Sequence, residues 1–493
     1  MKKLLLLLCL LPVLAVAQNT SCSLAGTVQD SAGAVVPNAK VSLTSEDNGF
    51  VRTVTTNKDG FFSFPDLTPA TFTIAIEAPG FKIFKENGIQ IASNEQHSLG
   101  QVKLQVGDVS QSVTITADAV QINTTNGERA GTLNGQELDA IALRGRDVFD
   151  AISLMPGVID TSDGRDAPGP SSISNIYILG GRNDSKNMTI DGVSNLDTGS
   201  NTTVHSMPSM DSVAEVKVMM SAYSAENGRN PSSINVITKG GQTQLHGQAA
   251  YYFRNEDLNA NNFFSNKAGR PRQEYRYNIY SYNIGGPVVL PKIYRGKRNL
   301  FFYWNQEFQN QVVSYAVNTK TVPTALERQG NFSQSYNTNG GAITLYDPTL
   351  TTSTGSRVAW PNKIIPQSRI SPIGQAILNM FPLPNYVDPT LATRYNWNYY
   401  VADSEPYSRR TETARIDYAP RQNWQLYLSL SNNADHQNVP YSGGNSGWVA
   451  GSSNFVMSPI KYTQPGRLAT LHSPTRFRPR CSMKHRSPSA RTR

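Results

Sequence analysis

Apolar and polar residues alternate with a period of two along much of this chain, the pattern of strands that bury one face. Leu24-Ala25-Gly26-Thr27-Val28 reads as a short strand, turns follow at Asp30, Gly33 and Pro37, and Ala39, Val41 and Leu43 share one face. Residues 53–64 predict a hairpin in which Asp59-Gly60 supplies the positive-φ turn and Phe62 and Phe64 point to a core. Phe72, Ile74 and Ile76 repeat the pattern before a turn at Pro79-Gly80. Strands roughly every ten residues with turn signals between them predict an all-β sandwich over residues 22–106. Residues 107–117 alternate once more and read as a last strand or a linker.

The period changes over 118–241. Leu138, Ile141, Leu143, Val148, Phe149, Ile152 and Leu154 have helical spacing up to Pro156-Gly157. Strand-like pieces follow at 173–182, 186–193 and 233–241, and Asp211 is placed to cap the segment carrying Val213, Val216 and Val218. A mixed α+β domain is predicted there. From 242 to 472 period two returns: Leu245, Gly247, Ala249, Tyr251 and Phe253 oppose His246, Gln248, Ala250, Tyr252 and Arg254. Trp424, Leu426, Leu428 and Leu430 likewise oppose Gln425, Tyr427, Ser429 and Ser431, and Ala414, Ile416 and Tyr418 oppose Thr413, Arg415 and Asp417. One apolar and one polar face, edged by Trp and Tyr, fits a membrane β-barrel with a wet lumen; a soluble sandwich has the same period. Residues 310–405, rich in Asn, Thr, Gly and Pro, read as mostly loop.

Composition supports strands over helices: charged residues are only 16 % of 493, and 37 Gly, 22 Tyr and 18 Phe accompany many Asn, Ser and Thr. The formal charge of +9 does not indicate a nucleic-acid surface. Arg476, Arg478, Arg480, Lys484, Arg486, Arg491 and Arg493 in the tail 473–493, with Lys2 and Lys3, account for all of it, and the body is neutral. Lys2 and Lys3 open a leader whose apolar run, Leu4 to Ala17, is short of the ~20 residues of a spanning helix. With Ala15 and Ala17 before Gln18, residues 1–17 predict a cleaved signal peptide and an exported chain. Only Cys22 and Cys481 would remain, too few for a disulfide framework.

No catalytic constellation emerges. The six histidines are scattered without a zinc spacing, and there is no phosphate loop, nucleophile elbow or C-x-x-C. Neither an enzyme activity, a cofactor nor a metal site is expected.

Several short motifs carry family resemblances. Gly26-Thr27-Val28, Gly33-Ala34-Val35-Val36-Pro37, Asp59-Gly60 and Ala78-Pro79-Gly80-Phe81 resemble the carboxypeptidase regulatory-like domain, a non-catalytic β-sandwich. Ala142-Leu143-Arg144-Gly145-Arg146, Leu179-Gly180-Gly181-Arg182, Ile190-Asp191-Gly192-Val193, Ser224-Ala225-Glu226-Asn227-Gly228 and Asn235-Val236-Ile237-Thr238-Lys239 match, in order, the plug domain of TonB-dependent receptors. Gly285-Gly286-Pro287-Val288, Asn299-Leu300-Phe301-Phe302-Tyr303, Gly330-Asn331-Phe332-Ser333, Tyr346-Asp347-Pro348 and Ile364-Ile365-Pro366-Gln367-Ser368-Arg369 resemble the barrels of Oar-like TonB-dependent receptors. The resemblance implies an Ig-like sandwich, an α+β plug and the first strands of an incomplete antiparallel barrel in the outer membrane. It implies three partners: the TonB energy-coupling protein, outer-membrane lipid and an extracellular ligand (carbohydrate, peptide or metal chelate), with no nucleic acid. Ser112, Val113, Thr114, Ile115, Thr116 and Ala117 are similar to the boxes that bind TonB by strand addition. A surface adhesion or matrix-organising protein on the same barrel anchor is the alternative, and a soluble secreted β-protein a third reading.

One more expectation concerns the end of the chain. Residues 466–473 begin a strand, but 474–493 lose all alternation and read as out of frame. About four to seven strands of ~10 residues are discernible in 242–472, against the eight or more that close a barrel and the 22 or so of plugged transporters.

Overall fold

The computed structural model describes residues 20–107, 112–116, 127–143, 145–162, 169–224, 227–228, 230–261, 263, 266, 272, 274–290, 299–314, 318–387, 397–401, 404–421, 424–439 and 460–473. The leader 1–17, the start of the interaction segment, Ala117, Arg144, Ala225, Glu226 and the basic tail beyond Ser473 lie outside those residues. The chain is mainly β.

Eight strands make the N-terminal sandwich: β1 (Cys22–Gln29), β2 (Lys40–Ser45), β3 (Val51–Thr55), β4 (Phe61–Leu67), β5 (Ala70–Glu77), β6 (Ile83–Ile91), β7 (Gln96–Lys103) and β8 (Ser112–Thr116). One sheet has the order β4-β1-β7 and the other β3-β2-β5-β6-β8. Leu24, Val28, Ala39, Val41, Leu43, Phe62, Phe64, Phe72, Ile74 and Ile76 are all buried between them, the residues that the alternation selects. The expected hairpin at Asp59-Gly60 is not one. β3 pairs with β2 and β4 with β1, so this turn carries the chain from one sheet to the other. Gly60 sits at φ +69°, its carbonyl accepts from Val28 N at 2.8 Å, and that bond delivers β4 to β1 instead of β3. Sequence alternation fixes which side chains go in; it does not choose the neighbouring strand. The sandwich also runs past residue 106, because β8 pairs in parallel with β6.

The central unit holds β9 (Arg129–Asn134), helix α1 (Gly135–Ala140), helix α2 (Val148–Ile152), β10 (Val158–Asp160), β11 (Ile176–Ile178), β12 (Lys186–Ile190), β13 (Val193–Ser194), β14 (Val213–Ser221) and β15 (Ser232–Thr238). Its sheet has the order β13-β12-β15-β14-β9, with β15 buried along its whole length. Phe149, Ile152, Val216, Val218, Ile234 and Val236 form the core. Two expectations are corrected. The helical stretch is two short helices, since Arg146 takes φ +48° and Asp147 starts α2 by accepting from Phe149 N at 2.9 Å; Leu154 is 60 % exposed. Asp211 caps no helix: Val213, Val216 and Val218 lie on strand β14, where β-branched residues fit between β15 and β9.

The C-terminal part is one antiparallel sheet in the order β16 (His246–Asn255), β17 (Tyr275–Pro287), β18 (Leu300–Ser314), β23 (Ser404–Arg421), β24 (Trp424–Val439) and β25 (Ile460–His472). Between β18 and β23 lies a loop lobe with β19 (Asn318–Lys320), helix α3 (Ala325–Arg328), β20 (Tyr346–Thr351), β21 (Arg357–Ala359), helix α4 (Pro372–Met380) and β22 (Tyr399–Val401). The six strands form an incomplete barrel wall, with β16 and β25 unpaired to one another. Among the described residues no helix is long and apolar enough to cross a membrane, which says nothing of crossing by strands. Connections alternate: residues 288–299 and 422–423 are short joints at one end, while 256–274, 315–403 and 440–459 are long at the other. Outer-membrane barrels turn tightly on the periplasmic side and send long loops outward.

Candidate functional site: the seam between wall and central unit

The wall presents its two faces differently. Outward, Tyr251, Phe253, Ile284, Ile416 and Leu430 are exposed apolar side chains. Inward, Thr413, Arg415, Asp417, Ser429, Ser431, Asn433 and Asp435 are buried although polar, because the central unit lies against them. Buried polar groups are costly unless paired, so the seam is a hydrogen-bonded network.

Three of the central unit's short motifs meet the wall. In the Ile190-Asp191-Gly192-Val193 turn, Asp191 at φ +48° accepts from Thr238 N at 2.9 Å, Thr238 Oγ1 at 2.7 Å and Ser429 Oγ of the wall at 2.6 Å. Thr238 comes from the Asn235–Lys239 motif, and its carbonyl accepts from Arg415 Nη1 at 2.8 Å. Arg415 is itself ion-paired with Asp417 at 2.9 Å and lies over the Tyr427 ring. In the Leu143–Arg146 motif, the Gly145 carbonyl accepts from Tyr277 OH at 2.8 Å, and Arg146 pairs with Asp211 at 2.8 Å while stacking on Tyr252. Asp211, nearly inaccessible, also accepts at its carbonyl from Tyr303 OH at 2.8 Å, and Ser209 Oγ donates to Glu307 at 2.8 Å. Arg409, Asp435 and Tyr407 form a further buried cluster on the wall, with Arg409 to Asp435 at 2.6 Å. Backbone and polar side chains of the central unit thus dock on polar side chains of the wall, with Leu468 of β25 packed against the central core beside them.

The motif residues were visible in the sequence, as was the polar face of the strands. Their pairing was not, since it joins positions separated by up to 238 residues, Asp191 and Ser429. Of the proposed interaction segment, Ser112, Val113, Thr114, Ile115 and Thr116 form β8, paired with Ile83–Asn87 of β6. β8 is the edge of its sheet, so among the described residues its other backbone edge has no strand partner. Among the described residues no group of three or more His, Cys, Asp or Glu could hold a metal ion.

Comparison with known families agrees with this layout. Residues 237–466 match the outer membrane beta barrel domain, and residues 23–116 the carboxypeptidase regulatory-like domain. Residues 237–466 are thus an outer-membrane β-barrel domain. The two matches together support an Oar-like TonB-dependent receptor, and the carboxypeptidase regulatory-like domain includes β8. The TonB-dependent transporter Oar of Myxococcus xanthus is 24 % identical over 296 residues, 56 % of this chain and 26 % of Oar. The chain therefore spans about a quarter of that relative's length. Among solved structures, the outer-membrane transporter YddB of Escherichia coli is similar with TM-score 0.36 and 11 % identity, over 64 % of this chain and 34 % of YddB. The ferric enterobactin receptor PfeA of Pseudomonas aeruginosa is similar with TM-score 0.34 and 13 % identity, over 65 % of this chain and 34 % of PfeA. By name these relatives are two transporters and a receptor.

Proposed function

We propose that the chain acts as a TonB-dependent receptor that binds a substrate outside the cell and admits it through a barrel blocked by the central unit. The observation that carries this reading is the seam: Asp191, Thr238 and Gly145 of the central unit are hydrogen-bonded to inward-facing Ser429, Arg415 and Tyr277 of the wall. A domain held in the lumen by polar contacts blocks passage and can be released without exposing a large apolar surface to water. The central unit, residues 118–241, is thus the plug, and the outward row of Tyr251, Phe253, Ile416 and Leu430 meets outer-membrane lipid. The substrate would be a carbohydrate, peptide or metal chelate taken up by the long connections, and no catalytic step is involved.

Residues Ser112–Ala117 would bind TonB by strand addition along the open edge of β8, with main-chain hydrogen bonds supplying affinity. The test is binding of the purified periplasmic domain of TonB to the full chain in detergent, with a peptide of residues 110–117 as competitor. Binding that the peptide displaces, and that Val113→Pro weakens by removing a ladder donor, supports transport. A chain retained at the cell surface that binds no TonB, and whose phenotype survives loss of 110–117, supports the anchored adhesion protein instead.

A further inference from the structure

The carboxypeptidase regulatory-like sandwich touches both the central unit and the wall. Its β6–β7 turn lies on β14 of the central unit. There Ser93 N and Oγ each donate to Glu215 Oε1 at 2.9 Å, and Lys217 Nζ donates to the Ser93 carbonyl at 2.9 Å. Asn94 Nδ2 donates to Asn227 Oδ1 at 2.7 Å. Ser93, Lys217 and Asn227 are all buried here. Lys217 is also ion-paired with Glu128, which immediately precedes β9. A second contact, from the β2–β3 turn, reaches the wall: Phe50 packs edge-on against Phe301 at 5.3 Å between ring centroids, and Thr243 N donates to the Asp47 carbonyl at 3.0 Å. Phe301 is fully buried. Both wall residues lie at the short-turn end of the sheet, Phe301 at the start of β18 and Thr243 just ahead of β16. Between the sandwich, the central unit and the wall remains a cleft of about 490 Å³ lined by Asp47, Asn134, Glu137, Lys239, Arg415 and His472.

We propose that the sandwich is a bolt: by gripping β14 with one turn and the barrel rim with another, it fastens the central unit to the wall from the periplasmic side. The side assignment rests on the barrel reading above. The consequence is that the central unit is held twice, by the seam and by the bolt, and moves only after one of the two sandwich turns lets go. The grip on β14 is specific because it orders charge: the half-buried Glu215 carboxylate accepts from the Ser93 amide and hydroxyl, and the buried Lys217 ammonium is satisfied by the Ser93 carbonyl and Glu128. The grip on the wall is small, one aromatic contact and one backbone hydrogen bond, which is what a releasable contact requires.

The test is hydrogen exchange followed by mass spectrometry on the full chain in detergent micelles, comparing the parent with Phe50→Ala and with Phe61→Ala, an exposed residue of strand β4. Loss of the Phe50–Phe301 contact should speed exchange in residues 213–221, which Phe50 does not touch, several-fold and up to about tenfold, while Phe61→Ala changes nothing there. Unchanged exchange in 213–221 for Phe50→Ala, in a chain whose other strands remain protected, overturns the bolt. The measurement involves neither TonB nor a substrate, so a chain that fails as a transporter can still show the bolt, and a working transporter can lack it.

Discussion

Gly466 of strand β25 lies with its α-carbon directly against the main chain of His205 in the central unit. A methyl group there would overlap the His205 carbonyl, and both partners are backbone that has no rotamer to change. Gly466→Ala should therefore push β25 off the central unit and destabilise the assembly by about 1–3 kcal/mol, the usual cost of overpacking. Ala469→Ser, exposed on the same strand, should be silent. Thermal unfolding in detergent, followed by loss of heat-resistant gel mobility, checks the pair; equal midpoints would show that β25 does not rest on His205.

Thr238→Val keeps the shape of the side chain and removes the hydroxyl that donates to the buried Asp191 carboxylate. Leaving that oxygen one donor short should cost about 1–3 kcal/mol. Double-mutant analysis with Ser429→Ala, the other side-chain donor, should give a non-additive coupling. Additive effects would mean that Asp191 does not join wall to central unit.

Phe64 is 1 % exposed at the centre of the sandwich. In residues 22–116 expressed alone, Phe64→Ala should cost about 3–5 kcal/mol. Phe64→Asp, which buries an unpaired charge, should abolish cooperative unfolding by circular dichroism. A cooperative Phe64→Asp domain would contradict the packing.

Asp197 accepts from Ser200 Oγ at 2.7 Å, Ser200 N at 2.8 Å and Gly199 N at 3.1 Å, and these bonds hold its carboxyl down at about 2. An unperturbed Asp titrates near ~3.9, so the turn gains from the ionised form at all pH above that, and the gain is lost as pH falls from ~3.9 toward 2. Ser200→Ala removes the largest contribution and should move the titration up toward the ordinary value. A carboxyl carbon shift followed by NMR on selectively labelled protein reads this; the same midpoint in both proteins would refute it.

Local pattern foretold the buried faces better than the partners. Phe62, Phe64, Ile74 and Ile76 are inside, and Trp424 and Leu430 face out while Ser429 and Ser431 face in, because side-chain direction follows from a period of two alone. Which strand lies next to which depends on contacts far apart in the chain. The Asp59-Gly60 turn therefore reads locally as a hairpin although it joins two sheets, and the pattern alone does not separate strand from linker at β8. The split between α1 and α2 escaped for another reason: Arg146 carries a left-handed conformation that an arginine seldom adopts, held by its salt bridge to Asp211 and its stacking on Tyr252. At the seam, polar residues on one strand face announced that something wet or hydrogen-bonding lay inside. They could not announce that it was the chain's own Asp191 and Thr238.

The placement of β1 has a kinetic meaning. It is the middle strand of its sheet, with Gly26 beside Phe62 and Val28 beside Val102 in parallel. Strand β1 thus waits for almost the last strand of its own domain, and no early hairpin can shelter Leu24 or Val28 in the meantime. Such distant pairing makes folding slow. Until β7 arrives, β1 is an apolar strand with bare edges, open to chaperones and to proteases alike.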